Sequence, residues 1–583
     1  MAETLISPGV LARENDQSFV TAQPLTRGAA IIGPTVKGPV ERPTLVSSFS
    51  SFQAVFGGAL QSGSGQYTYL TSIAANQYFQ NGGESLLVTR VTSGSFSPAS
   101  SSAVPTASAG NTTGNSPFIL ETISEGIIMN TFNPAGNVTG SNGSLVSGSA
   151  DNIRWEIASV NTSSGTFTLL IRRGNDNQSN KVVLESYNNI SLDPFASNYI
   201  AKAIGDISTT VVTRDGNTFL QESGSNPNIS AYVRVKEVPL KTPNYLDNAG
   251  NAKPQFTSSL PALGSGSAYG TFGGGQGSNI PAARAANFYQ NINNTDSQGL
   301  VGTDYTNAIA LLADTDNYQY NVISIPGLYA ADYGTQTTSV LNNTIARGDS
   351  IFVMDLVAYN SSIAAVTGQA GGVDSSYAAA YWPWVQTIDP NTGELVFIPP
   401  STFIPGIYAF TDASADPWFA PAGINRGGMG QVVRAERKLT SANRDSLYEA
   451  NVNPIATFPN QGVVVFGQKT LQKAASALDR VNVRRLLITL KDFISQIADN
   501  LVFEQNTIAT RQNFLTQVNP YLESVQQRQG LYAFKVVMDD SNNTPDVIDR
   551  NELIGQIFLQ PTRTAEFIIL DFNVLPTGAT FPA

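Results

Sequence analysis

An α/β pattern that stops near Ser93 and resumes near Gly302 is the strongest constraint on how this chain can fold. Before the break, Ala29-Ala30-Ile31-Ile32-Gly33-Pro34 reads as a short buried strand ended by a turn. Ser48 to Phe56 predicts a short helix stopped by Gly57-Gly58. Leu70, Ile73, Ala74 and Tyr78 share one helical face, and Asn81-Gly82-Gly83 ends that helix before a strand from Leu86 to Val91. Beyond the break, Ile309 to Leu312 reads as a helix end, Val322 to Ile325 as a strand closed by Pro326-Gly327, and Ile351 to Asp355 as another buried strand. In the break itself, Ser, Gly, Asn and Thr dominate and the strands are short and alternating: Ile153 to Ile157, Phe167 to Ile171 and Tyr232 to Val235. Gly264 to Gly277 reads as nearly a linker.

At 583 residues the chain is too long for one hydrophobic core. The expected class is therefore a multidomain α/β (α+β) protein, a discontinuous core carrying a β-rich inserted domain, with extended arms at both ends. The expected division is an N-terminal arm over 1–20, first core part 21–92, insertion 93–295 (one or two subdomains), second core part 296–460, C-terminal α/β domain 461–574 and C-terminal arm 575–583. In the C-terminal domain, Val483, Leu487, Leu490, Ile494, Ile497 and Leu501 mark one face of an amphipathic helix. A second helical stretch starts at about Thr507, with Asn519-Pro520 resetting it as N-cap and first-turn proline and Gly530 ending it. Phe534 to Met538 and Glu566 to Phe572 read as strands.

Composition removes several chemistries. There is no Cys and no His, so disulfides, thiolate zinc sites, thiol nucleophiles and a Ser-His-Asp triad are excluded. No acidic cluster has a suggestive spacing, and we expect neither a cofactor nor an enzyme. The net charge of −11 argues against a nucleic-acid coat. No apolar run is long enough to span a bilayer, and MAETLISPGV lacks the basic-then-apolar order of a signal peptide.

Four motifs resemble known sites and fail on detail. Gly462 to Thr470 (GVVVFGQKT) nearly forms a phosphate-binding loop, but Gln468 intrudes between Gly467 and Lys469. A strand from Val463 to Phe466, a turn and a helix are expected instead. Asp314-Thr315-Asp316-Asn317 starts like a calcium loop but lacks the central Gly and distal Glu, which leaves a solvated helix-to-strand loop. Arg347-Gly348-Asp349 reads as a turn. Trp382-Pro383-Trp384 and Trp418 suit a sugar platform less well than a core or an interface.

Several segments, taken in order, resemble the tail sheath proteins of contractile-tailed (myovirus-type) bacteriophages and related contractile injection systems. The N-terminal part offers Ser7-Pro8-Gly9-Val10, Phe52-Gln-Ala-Val-Phe56-Gly57 and Tyr78 to Gly83 running into Val88-Thr89-Arg90-Val91; Leu192-Asp193-Pro194 follows. The middle offers Ser375 to Trp384, Pro399-Pro400-Ser401, Gly406 to Ala409 and Ala420 to Gly423. The C-terminal part is the most specific, with Gly462 to Gly467, Val481 to Leu486, Val502 to Asn506, Asn543-Thr544 and Ala565 to Ile568. Many relatives carry Trp where this chain has Phe466.

This resemblance implies a homo-oligomer of stacked hexameric rings around an inner tail tube, contracting to drive the tube through a host envelope. It also implies baseplate and tail terminator partners, a place in the virion tail, assembly in the host cytoplasm, and no binding to nucleic acid or insertion into a membrane. The C-terminal domain would face the tube and the insertion would face outward. Arms from adjacent subunits would complete a shared sheet, which points to Val10, Leu11, Phe19 and Val20 at one end and Phe567, Ile568, Ile569 and Phe572 at the other. Arg484 and Arg485 start the amphipathic helix, and are either charges for a subunit or tube interface or an exposed or internally paired helix start. The alternatives are a sheath of a genome-free injection particle and, from another class, a surface carbohydrate-binding or hydrolytic protein.

Overall fold

A computed structural model describes residues 27–62, 65–106, 116–132, 139–141, 143–280 and 286–566. Its centre is an eight-stranded sheet in the order Thr44–Val46, Leu86–Arg90, Ala29–Gly33, Val322–Tyr329, Ile351–Asp355, Ala378–Trp382, Val452–Phe458, Gly462–Val465. The inner strands pair in parallel, and each edge strand is antiparallel to its neighbour. A parallel sheet must be covered on both faces, which is why its strands are continuous apolar runs and not alternating ones. Ala29–Gly33, Ile351–Asp355 and Ala378–Trp382 are buried at every position. Ile31 and Val353 point into one core, and Ile32 and Phe352 into the other. Phe49–Phe56, Leu70–Gln80 and Ile404–Ser414 cover the first face. Thr306–Leu311, Gly334–Arg347, Ile363–Gly371 and Ser441–Glu449 cover the second.

Pro326-Gly327 does not close its strand. Val322–Tyr329 runs through it, and pairing lapses between Ser324 and Tyr329 before Tyr329 meets Asp355. Proline is tolerated where the ladder lapses. Gly327, at φ +96°, lies where a Cβ would meet Ser297 Oγ at 2.9 Å, and that hydroxyl donates to the Gly327 carbonyl at 2.8 Å.

A separate core joins Ala99, Trp155, Phe167, Leu169, Ile200, Val233 and Phe272. It is built from two sheets: Ile153–Asn161, Thr166–Arg173 and Val183–Ser191; and Pro98–Ser101, Ile119–Glu125, Val233–Glu237 and Phe272–Gly273. The hairpin of Ser208–Arg214 and Asn217–Ser223 adds nothing to this core and reaches the helix Thr306–Leu311 instead. Gly264 to Gly277 is part of this core and not a linker. Trp155 N–H and its indole Nε1–H donate to the Gly270 and Thr271 carbonyls, and a Cβ on Gly270 would lie 1.8 Å from the Trp155 oxygen. The glycines there serve close backbone approach, and composition alone cannot distinguish that from looseness. Phe288, Tyr289 and Ile292, assigned to the insertion on composition, pack on the central sheet.

The C-terminal part holds a further core, with Val481–Asp499, Ile508–Gln527, Leu531–Val537 and Gln556–Pro561 around Leu490, Phe493, Phe514, Val518 and Leu522. Gly462–Val465 belongs to the central sheet, and no helix follows it before the turn Ala477–Asp479. Ile508–Gln527 is one helix with Pro520 inside it, so Asn519-Pro520 does not restart it. The first turns of Val481–Asp499 are buried all round, because Val481 and Ile488 face the central core while Leu486 and Leu490 face the C-terminal one.

Candidate functional site

The C-terminal domain ends in a sheet of two strands, and the helix Ile508–Gln527 sets its position. Thr507 caps that helix by accepting from Thr510 N–H at 3.3 Å. Phe514, Val518, Leu522 and Val525 form its buried stripe. At its far end Gln529 takes φ +67° and Gly530 N–H returns to the Val525 carbonyl at 2.8 Å, which turns the chain into the first strand. A Cβ on Gly530 would meet Val525 Cγ1 at 2.6 Å, so glycine is required there.

Leu531–Val537 and Gln556–Pro561 pair antiparallel, with Phe534 opposite Leu559 and Val536 opposite Ile557. Those four side chains pack onto the helical core. Tyr532 is 77% exposed and Phe558 57% exposed. Among the described residues each strand has one partner, so both outer edges of the sheet are open. A two-stranded sheet is marginal alone, and an open apolar edge invites another strand. The partner strand Gln556–Pro561 escaped the sequence reading, although its Ile-Phe-Leu run is a strand signal.

The described chain ends beside this sheet at Glu566, in a cleft lined by Tyr448, Gln468, Arg480 and Thr564. Arg480 grips the Glu566 carboxylate with Nε to Oε1 at 2.7 Å and Nη2 to Oε2 at 3.0 Å. Tyr448 Oη donates to Oε2 at 2.6 Å and Gln468 Nε2 to Oε1 at 3.1 Å. Burial acts to raise this carboxyl, but the hydrogen bonds from Arg480, Tyr448 and Gln468 outweigh it and hold the group below the ordinary range. No sequence motif announces this set, because its donors come from three distant segments.

The arm residues Val10, Leu11, Phe19, Val20, Phe567, Ile568, Ile569 and Phe572 lie outside the described residues, as does the strand expected after Glu566. Arg484 and Arg485 are 5% and 4% exposed and have internal partners. Arg484 donates to Ser376 Oγ and lies 4.0 Å from the Tyr377 ring centroid. Arg485 pairs with Asp412 at 2.7 Å and covers the Tyr408 ring at 4.7 Å. Any pairing of these charges with a neighbour requires them to leave these partners.

The near-motifs are also accounted for. Lys469 Nζ donates to the Tyr448 carbonyl at 2.7 Å. Asp314 accepts from Asp316 N–H, Asn317 N–H and Asn317 Nδ2 within its own turn. Arg347 chelates Asp349 around Gly348 in the left-handed region. Trp382, Trp384 and Trp418 are buried, and Trp384 and Trp418 spend their indole N–H groups on the Val357 and Arg528 carbonyls, so they form no exposed platform.

Residues 298–471 match the phage tail sheath protein central domain, and residues 473–575 match the phage tail sheath C-terminal domain. The matched segments contain the open-edged sheet and the Glu566 cleft. The chain is similar to the tail sheath protein of Vibrio phage KVP40, 37% identical over 233 residues, and to that of Enterobacteria phage T4, 35% identical over 229 residues. Each match covers 39% of this chain and 35% of the relative, so it spans about a third of those proteins' length. Among solved structures, a sheath tail protein from Listeria innocua aligns with TM-score 0.49 and 11% identity over 93% of this chain and 96% of that one.

Proposed function

We propose that this chain is a structural subunit of a contractile tail sheath. Subunits stack as hexameric rings around an inner tube in the virion tail, and contraction drives the tube through the host envelope. The observation that carries this reading is the sheet of Leu531–Val537 and Gln556–Pro561, open on both edges within the segment that matches the sheath C-terminal domain. A strand from one neighbour on each edge converts a marginal pair into a four-stranded sheet linked to two other subunits. Residues 1–20 and the segment beginning at Phe567 supply those strands. Each backbone hydrogen bond contributes only about 1 kcal/mol net, but an arm makes several and every subunit repeats them. Such a mesh stays joined while whole domains rotate, which a bistable lattice needs. The C-terminal domain faces the tube, the insertion faces outward, and baseplate and terminator proteins close the two ends. The subunits assemble in the host cytoplasm, and the work of contraction is stored at assembly without nucleotide.

Electron microscopy of the purified protein, alone and with a matching tube, tests this. We expect tubes or stacked rings in the presence of a chelator and without ATP. Removing residues 1–20, or those after Glu566, is expected to leave a folded monomer that builds no sheath. Normal contractile sheaths from both truncations would refute the strand-exchange reading.

A further inference from the structure

Between the last strand and Glu566 the chain runs through 562–566 outside any helix or strand. Thr562 N–H donates to the Gly530 carbonyl at 3.2 Å, and Thr564 and Ala565 are exposed. What fixes the direction of exit is side-chain chemistry: Gln468 Nε2 on Thr564 Oγ1 at 2.7 Å, and the Glu566 carboxylate in its set of donors. Those donors are themselves tied together. Tyr448 sits on the helix Ser441–Glu449, and its carbonyl receives Lys469 Nζ. The Gln468 carbonyl accepts from Val481 N–H at 2.8 Å, at the start of the long helix, and Arg480 is the residue just before that helix.

We infer that Glu566 is a mechanical anchor, the point at which a subunit holds the root of its own C-terminal segment and receives load from the neighbour that takes it. The inference rests on the strand-exchange reading above. A pull on the chain beyond Glu566 meets the forked Arg480–carboxylate pair first, an arrangement that is both strong and directional. Load then passes through Arg480 into the helix Val481–Asp499, and through Tyr448 and Gln468 into the edge of the central sheet. Without the anchor the same pull acts on Gln556–Pro561, which can peel from Leu531–Val537 one hydrogen bond at a time. The anchor thus protects the sheet that the lattice uses as its joint.

The test uses full-length Glu566→Ala, the double variant Arg480→Glu with Glu566→Arg, and a chain truncated after Glu566, each assembled on tube and triggered to contract. For Glu566→Ala we expect little change in the monomer's thermal midpoint, together with a severalfold fall in the fraction of sheaths that remain continuous after contraction. The charge-swapped pair is expected to recover most of that loss, an outcome that a merely local packing role would not give. If the truncated chain fails to assemble while Glu566→Ala sheaths contract as intact as the parent, the anchor is wrong and strand exchange stands. If the truncated chain itself gives normal contractile sheaths, strand exchange fails and the anchor fails with it.

Discussion

Asp355 is a buried carboxyl at the end of a central strand, 4% exposed, and its hydrogen bonds come from Ser401 N–H at 3.1 Å and Ser401 Oγ at 2.5 Å. Burial pushes its pKa up to about 7 against the pull of those two donors. A folded value above the unfolded one means that stability present in acid is lost as pH rises through about 7. Asp355→Asn keeps an acceptor for Ser401 and removes the charge. We expect the parent's thermal midpoint to fall between about pH 4 and pH 7 and to level off above that, more steeply than that of Asp355→Asn, with the variant ahead by about 2–4 kcal/mol at the upper end. Thermal unfolding followed by circular dichroism across pH checks this. Glu566 has the opposite sign. Its carboxyl is held low, so its grip is complete above the ordinary carboxylate range and is lost as pH falls through the depressed value. Acid is therefore expected to release the C-terminal root while Asp355 is at its most comfortable.

The helix Ile508–Gln527 shows packing overriding a local signal. Pro520 has no N–H for the carbonyl four residues back, and its ring crowds that turn. The helix continues because Phe514 and Val518 before the proline and Leu522 and Val525 after it belong to one buried stripe. Pro520→Ala is expected to stabilise the protein by about 1–3 kcal/mol, offset in part by the freer unfolded chain. Leu522→Ala removes a fully buried anchor under the open sheet and is expected to cost about 2–5 kcal/mol. Denaturant midpoints read both, and the second variant should also lose assembly, because the two strands rest on this helix.

Across the whole molecule, the insertion leaves and re-enters the core at one place. Ser97 N–H donates to the Gln276 carbonyl at 3.0 Å, and Gln276 N–H returns to Ser97 at 3.3 Å. Its ties to the core include Arg42 to Glu125, Lys37 to Asp151 at 3.9 Å, and Arg90 Nη1 to the Glu125 carbonyl at 3.1 Å. Arg90 keeps the Gly38 carbonyl at 2.6 Å and Asn279 at 2.7 Å when only residues 98–275 are removed. A chain in which residues 98–275 are replaced by a short Gly-Ser link is therefore expected to fold and, if the insertion faces outward, to build a sheath on tube. A folded deletion variant that builds none would place the insertion inside the contractile lattice.

Ala29–Gly33, Leu86–Arg90 and Ile351–Asp355 are legible in the sequence because strands buried on both faces must be apolar at every residue, and that demand leaves a continuous run. Helix stops such as Asn81 and the cap at Ser48 are legible because they depend on a few adjacent residues. The order of family-like segments, from Ser375 to Trp384 and on to Val502 to Asn506, is linear information too, and the resemblance to sheath proteins rests on it. The rest depended on partners distant in the chain. Gly264 to Gly277 looks like a linker until Trp155 is laid against Gly270. Pro520 looks like a helix start until the stripe on either side of it is seen to face one core. For Arg484 and Arg485 the sequence leaves interface charges and internal pairing equally open until Asp412, Ser376 and the rings of Tyr377 and Tyr408 close around them. The Glu566 anchor draws Tyr448, Gln468 and Arg480 from three segments with no common spacing. Sequence determines patterns whose cause is local, such as period, cap and turn. Tertiary structure alone decides which distant donor meets a carboxylate and which sheet edge is left without a partner, because both follow from the path of the whole chain.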